Sequence, residues 1–493
     1  MNKYLIIRNL RGNWSWRYIF EFISRNGPES DLGFFDASRY EYFPPFKRAP
    51  IILNSVWREK IISFIFFNNS LPGILKKQIL QRSKKHKEVR LKFENIKIVW
   101  HLLGLNSSAK LSGDKYNSIP FGRFVHTTLI ANYGIKHFFV PHYKFFGNIL
   151  LFIRFTRGYV TTNYLIVNYK YSCVVLINGR DAFGVGAQLA AYLNNVSIKC
   201  LEAGFGSTGL PKYGLWNGNM HHWRVRESES KTTVSSNYEK YKSADAEKFM
   251  QEKYGFKSAI WRENMPNENS TDFIRGTDYV CFFTTSEKEA TTCPSGIIDL
   301  NDFDKFDQMQ SLTNVYEACK SLSLRLVIRL HPNFSNNKQA KNENNFFLKL
   351  TKDWCNTTII ENNDSLDSYK LATYSKANFT FRSSISAEFA FRGINVFHTA
   401  KTAWSYHCPE KLAFTVDEII QAINFDKTSY ENKSYEFYTF ASYYQNHGKD
   451  FTSLKVYSIN DKLNMNSKFR PYINKLNDIE LDMPKTNFKL FRL

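Results

Sequence analysis

The stretch Leu324–Pro332, LRLVIRLHP, constrains the fold more tightly than any other in the chain. An alternating aliphatic and β-branched run of this length reads as a buried strand, and it breaks off at Arg329, His331 and Pro332. A residue before proline is pushed toward extended geometry, and proline suits the first turn of a following helix. The spacing therefore delivers one imidazole to the place where a strand stops. In open α/β sheets that carboxyl edge is where ligands bind.

With 493 residues the chain is too long for one ordinary core, so two domains are expected. No segment reaches the roughly 18 apolar residues of a membrane span, and the opening MNKYLIIRNLRG lacks the apolar centre of a signal peptide, so a cytoplasmic location is expected. Cys173, Cys200, Cys281, Cys293, Cys319, Cys355 and Cys408 are scattered without a CxxC pair, which suggests neither a disulfide framework nor a zinc site. A formal charge of +21 points to anionic partners: nucleic acid, acidic lipid or phosphorylated substrates.

In chain order, Lys3–Arg8 reads as a strand and Trp16–Ile23 as an aromatic helix. From Lys76 to Lys92 eight basic residues face one acid, Glu88; this is either a solvated helix face or a patch for an anionic membrane surface. Sequence up to about Lys170 shows no clear period. Cys173 onward is legible: CVVLINGR is a strand ending in Asn178, Gly179 and Arg180, DAFGVGAQLAAYLNN is a helix, and Val196–Leu201 is a strand ending in Glu202, Ala203 and Gly204. This is a βαβ unit, so its strands should be parallel and Arg180 and Glu202 should face one crevice. Arg180 is either a loop-pinning ion pair or a substrate contact. Glu202 is either a backbone-binding cap or a base near a substrate hydroxyl, and the neighbouring glycines admit close approach. Pro211–Arg226, with His221 and His222, is expected to be a basic substrate loop, Ser228–Lys257 a lysine-rich helix, and Trp261–Thr277 a linker.

A second domain is predicted from Asp278–Phe283, a strand ending in Thr284, Thr285 and Ser286. A helix buried through Phe303, Phe306, Met309, Leu312 and Val315 follows. Strand and helix then alternate to His398, which argues for a second parallel sheet covered on both faces. Asp302-Phe303-Asp304 reads as helix N-terminal charge rather than a metal site. Ser383 and Ser384, between a strand and a helix, can hold a phosphate or simply cap the helix; Glu388 can accept from a ribose or be solvated.

The ordered set NGR at Asn178–Arg180, EAG at Glu202–Gly204, FFTTSEKE at Phe282–Glu289, RLHP at Arg329–Pro332, DSLDSY at Asp364–Tyr369 and RSSISAEFAFRGINV at Arg382–Val396 resembles capsule-polysaccharide biosynthesis proteins. These include the Kdo transferases of capsule assembly, and bacterial sialyltransferases show a similar trio of acidic-Gly, HP and paired-Ser motifs. The resemblance implies a GT-B fold, two Rossmann-like parallel-sheet domains facing across a cleft. It further implies that His331, Ser383 and Ser384 contact the donor nucleotide and that Glu202 is the candidate base. Glu-Ala-Gly stands where sialyltransferases carry two acids, and Thr284-Thr285 replaces serines, so sugar and nucleotide stay open.

The expectation is a glycosyltransferase that moves a sugar from a nucleotide-sugar donor, CMP-linked Kdo or sialic-acid-like sugars being candidates, to a capsule or lipopolysaccharide acceptor. It would act at the inner face of a bacterial membrane, without metal or other cofactor. The alternatives are a nucleotide-sugar epimerase of the same fold and a basic nucleic-acid-binding protein, the latter supported by charge alone; no nucleic-acid partner is expected. The donor side is assigned to Arg329, His331, Pro332, Thr285, Ser286, Ser383, Ser384 and Glu388, the acceptor side to Asn178, Arg180 and Gly204, and catalysis to Glu202 and His331. Residues 1–260 form the expected acceptor domain, 278–430 the nucleotide-sugar domain and 431–493 a helical tail.

Overall fold

The computed structural model describes residues 2–8, 14–26, 30–37, 86–88, 93–105, most of 115–129, 145–204, 212–218, 223–235, 278–285, 308–331, most of 345–402, 405–425, 448–449 and 488–492. Among them two α/β units stand out, each built on its own parallel sheet, as the GT-B-like expectation requires.

The first unit opens with β1 (Asn2–Arg8), α1 (Trp14–Asn26) and β2 (Ser30–Asp36). It continues through β3 (His86–Glu88), α2 (Phe93–Leu103), the long α3 (Phe145–Tyr169), β4 (Cys173–Ile177), α4 (Ala182–Leu193), β5 (Ser197–Gly204), β6 (Lys212–Trp216) and α5 (Trp223–Ser235). The second contains β7 (Tyr279–Phe283), α6 (Gln308–Ser321), β8 (Arg325–Arg329), β9 (Thr357–Ile360), α7 (Ser368–Tyr374), β10 (Ala377–Thr380), α8 (Ile385–Phe391), β11 (Val396–His398) and α9 (Val416–Ile423). A last strand, β12 (Phe488–Arg492), returns to the first sheet.

Alternation of side chains explains why both faces of each sheet are covered. In β1, Tyr4 and Ile6 join Phe22 and Phe34 on one face, while Leu5 and Ile7 join Phe35, Phe183 and Ala187 on the other. In β7, Val280 and Phe282 pack with Leu312 and Val315, and Cys281 and Phe283 with Leu371 and Phe389. Each fully buried aromatic or aliphatic side chain of this kind stabilises its sheet by about 1.5–3 kcal/mol.

The first sheet has the order β3-β12-β2-β1-β4-β5-β6 and the second β11-β10-β7-β8-β9. Every pairing is parallel except β5 with β6, which is antiparallel. In each sheet the chain order reverses once beside its first strand: between β1 and β4, and between β7 and β10. Such switch points open a crevice at the carboxyl ends of the strands.

Several expectations are corrected here. Pro211–Arg226 is not a loop throughout, because Lys212–Trp216 pairs with β5 and Trp223 opens α5; Trp216 is fully buried, which explains why the segment is held. The basic run is not helical at His86–Glu88, where it adds an edge strand to β12. The tail is not helical at its end, where Phe488–Arg492 lies between β2 and β3. Phe303, Phe306, the Asp302–Asp304 motif and the linker lie outside the described residues.

The two units touch. Ala387 and Cys408 belong to the same buried apolar cluster as Trp216 and Val225, and the Lys231 amine sits 3.9 Å above the Tyr406 ring. Tyr213 also exchanges backbone hydrogen bonds of 2.8 Å with Lys449, which follows the second unit. Among the described residues no helix is long and apolar enough to cross a membrane.

Candidate active site

At the first switch point β4 turns sharply into α4. Asn178 and Gly179 both have left-handed backbones, φ +62° and +77°, a conformation that asparagine tolerates and glycine adopts freely. A Cβ on Gly179 would also lie 3.0 Å from Gln188 Nε2 and 3.2 Å from Cys200 Sγ. The turn is locked by the Gln188 amide, which donates to the Gly179 carbonyl at 2.6 Å, and by Asp181, which caps α4 by accepting from Gly184 N at 2.9 Å.

This turn aims the Asn178 side chain along the sheet edge. Its amide nitrogen donates to a carboxylate oxygen of Glu202, and its carbonyl oxygen accepts from Arg180, at 2.9 Å from Nε and 3.3 Å from the backbone N. Asn178, Arg180 and Glu202 are thus brought together, as the βαβ spacing predicts. Glu202 pairs in register with Gly214 of β6, so the residue directly opposite it brings no side chain to that flank. Gly204, the last residue of β5, is paired with Lys212.

At the second switch point the strand ends form a linked crest. Thr284 Oγ1 accepts from the His331 backbone N at 2.9 Å and lies 3.3 Å from the Arg329 carbonyl, to which Thr284 N also donates at 3.1 Å. His331 is half-buried just past β8. Thr285 N donates to Gln308 Oε1 at 2.7 Å, and Gln308 Nε2 donates to the Thr285 carbonyl at 3.0 Å. Beyond β10, Arg382 has a left-handed φ of +51°, and the Ser383 hydroxyl, buried at the turn, accepts from Ile385 N at 3.4 Å. The Ser384 carbonyl accepts from Ala387 N at 3.2 Å.

Two sequence-assigned donor contacts are turned elsewhere. Arg329 is buried, and its guanidinium donates to the Glu361 carbonyl, to the Asp364 carbonyl at 3.2 Å and to Ser368 Oγ at 3.3 Å, so it braces the loop after β9. Burial lowers its pKa, and the Asp364 and Asp367 carboxylates oppose that shift. Glu388 accepts from the Tyr369 hydroxyl. Ser286, Pro332, His221 and His222 lie outside the described residues.

Three groups escaped the sequence reading. Arg8, 6 % exposed, ends β1 at the first switch point, the same signal that marked Arg329. His398 ends β11 fully buried, its Nδ1 3.3 Å from Thr380 Oγ1. Gln308 opens α6 with no exposure, and nothing in its sequence neighbourhood distinguishes it from a surface glutamine. Cys281 and Cys319 are free and buried, and burial raises both thiols, Cys319 up to about 12, which favours the neutral form of each. Among the described residues no cluster of three histidine, cysteine or acidic side chains has metal-site geometry.

No protein-family model and no curated protein matches the chain. Solved structures that resemble it include S. aureus MnaA with UDP, at 14 % identity and TM-score 0.29, covering 92 % of this chain and 94 % of that one. UDP-GlcNAc 2-epimerase from Neisseria meningitidis bound to UDP-GlcNAc matches at 12 % identity and TM-score 0.26, over 97 % of this chain and 100 % of that one. KpsC from Thermosulfurimonas dismutans, a beta Kdo 2,4 transferase, matches at 14 % identity and TM-score 0.28, over 51 % of this chain and 79 % of that one.

Proposed function

We propose that the chain is a glycosyltransferase that moves a sugar from a nucleotide-activated donor to a hydroxyl of a growing bacterial surface polysaccharide. One observation carries the proposal: a carboxylate organised by Asn178 and Arg180 stands at the switch point of one sheet, and a histidine, threonine and serine crest stands at the switch point of the other. Two parallel sheets, each with its own prepared edge, suit a reaction with two substrates.

In this reading Glu202 takes the proton of the acceptor hydroxyl as its oxygen bonds to the anomeric carbon. The bond from that carbon to the donor phosphate breaks, and the electron pair leaves with the phosphate. His331 and the Ser383 and Ser384 hydroxyls stabilise the departing charge, and Thr285 lines the same crest. The Asn178 amide holds the Glu202 carboxylate in place without neutralising it, while Arg329 acts indirectly by bracing the loop beside β8. Residues 1–260 serve the acceptor and 278–430 the donor, and the basic run Lys76–Lys92 rests on anionic lipid at the cytoplasmic face.

Binding of CMP, CDP, UDP and GDP sugars, followed by transfer assays with saccharide acceptors, tests the proposal. Glu202→Gln should abolish acceptor-dependent transfer while nucleotide affinity stays near normal, and His331→Ala should weaken nucleotide binding. Near-normal transfer by Glu202→Gln would remove it as the base. Conversion of a nucleotide sugar to its epimer with no acceptor present would replace transfer by epimerisation.

A further inference from the structure

We infer that Gln308 and Thr284 are positioning residues that fix His331 at the donor crest, Gln308 acting through the backbone of Thr285. The inference deepens the proposed donor site and rests on that reading for its consequence in binding, but not for its geometry.

A glutamine with no exposure in the first turn of a helix is costly unless both ends of its amide are satisfied. Both ends of Gln308 go to one residue, accepting from Thr285 N at 2.7 Å and donating to Thr285 O at 3.0 Å. This two-point clamp ties residue 285 to α6, replacing the strand partner it would have had inside a sheet. One residue earlier, Thr284 accepts from the His331 backbone N at 2.9 Å and closes on the Arg329 carbonyl from its own N at 3.1 Å. The imidazole-bearing residue is therefore held through a threonine whose next neighbour is clamped.

The same turn of α6 reaches the serine side of the crest. Ser311 Oγ donates to the Thr399 carbonyl at 3.2 Å, and Thr399 donates from N at 3.0 Å and from Oγ1 at 3.2 Å to the Thr380 carbonyl, which ends β10 three residues before Ser383. Gln308, Ser311, Thr380 and Thr399 are buried beneath the crest, and Thr284 and Thr285, themselves buried, join that network to it. Its role is to set positions, and displacement of a reacting group by about 1 Å is worth on the order of 100-fold in rate.

The test compares Gln308→Met, Thr284→Val and Thr284→Ser with Leu312→Ala, a destabilising change on the apolar face of the same helix. Binding of CMP and UDP is measured beside the melting midpoint, and the His331 ring is followed by NMR, assigned by its loss in His331→Ala. Gln308→Met and Thr284→Val should shift the His331 ring signal and weaken nucleotide binding on the order of 10-fold. Thr284→Ser, which keeps the oxygen, should restore both, and Leu312→Ala should lower the melting midpoint while moving neither. A folded Gln308→Met whose His331 signal is unmoved overturns the inference, as does a Leu312→Ala that moves it equally. If the unmodified protein binds neither nucleotide, the proposed donor site fails, and the ring spectra still decide the positioning role.

Discussion

Glu229, on α5, accepts from Asn217 Nδ2 at 3.2 Å. Burial raises its pKa, and the Asn217 hydrogen bonds and the Lys199 charge only partly offset the rise. The folded protein therefore holds this proton more tightly than the unfolded chain, so stability from this group is present at low pH and is lost as pH rises through the carboxylate range. Glu229→Gln, which keeps an acceptor for Asn217, is expected to raise the melting midpoint at neutral pH, with the gain fading as pH falls below that range; a gain independent of pH would mean another cause. Glu418 behaves oppositely. Backbone hydrogen bonds from Thr415 lower its pKa, so its support of the α9 capping box is present at neutral pH and lost on acidification. At this scale the chain was legible in residue type but not in direction. Arg329 and Arg8 are charged ends of apolar strands, and sequence cannot tell whether such a guanidinium turns to a ligand or, as Arg329 does, to loop carbonyls. Glu202 was legible because its βαβ spacing is short and local.

α3 and α4 cross with their backbones in contact. A Cβ on Gly158 would lie 2.1 Å from the Phe183 carbonyl, and one on Gly186 would lie 2.1 Å from the Phe155 carbonyl. Neither neighbour is the flexible end of a side chain, so Gly186→Ala must push the helices apart. Urea unfolding should show a loss of about 3 kcal/mol or more, the upper range for overpacking; a loss under about 0.5 kcal/mol, a typical surface effect, would contradict the crossing. The same crossing explains why α3 carried no clear period. Phe152 and Phe155 pack toward α2 and α4, while Leu165 and Ile166 pack toward the sheet, so apolar residues occupy more than one stripe. In the second unit the β7 to β11 alternation was legible because β7 is an unbroken apolar run, YVCFF, and β8 carries an apolar LVI centre between its two arginines.

A net charge of +21 makes the proposed contact with anionic lipid dependent on salt. Sedimentation with anionic vesicles is expected to fall as ionic strength rises, each basic residue near the surface contributing about 1 kcal/mol. Charge-neutralising Lys76–Lys92 should remove most of it, and unchanged sedimentation would place the contact elsewhere. Two sheets were expected and two are present among the described residues, but the completion of the first by a strand from residues 488–492 was not legible. Strand pairing between distant segments leaves no local mark, and FKLFR by itself is a short alternating run. That completion also has a cost during synthesis. Leu32 pairs with Phe488, so β2 lacks its β12 partner until residue 488 has left the ribosome. At roughly 5–20 residues per second, β2 is an open edge for a time on the order of a minute, and it bears Phe34 and Phe35. Nascent chains of this protein therefore pass through a stage at which one can zip onto another, and chaperone demand should be greatest before residue 488 emerges.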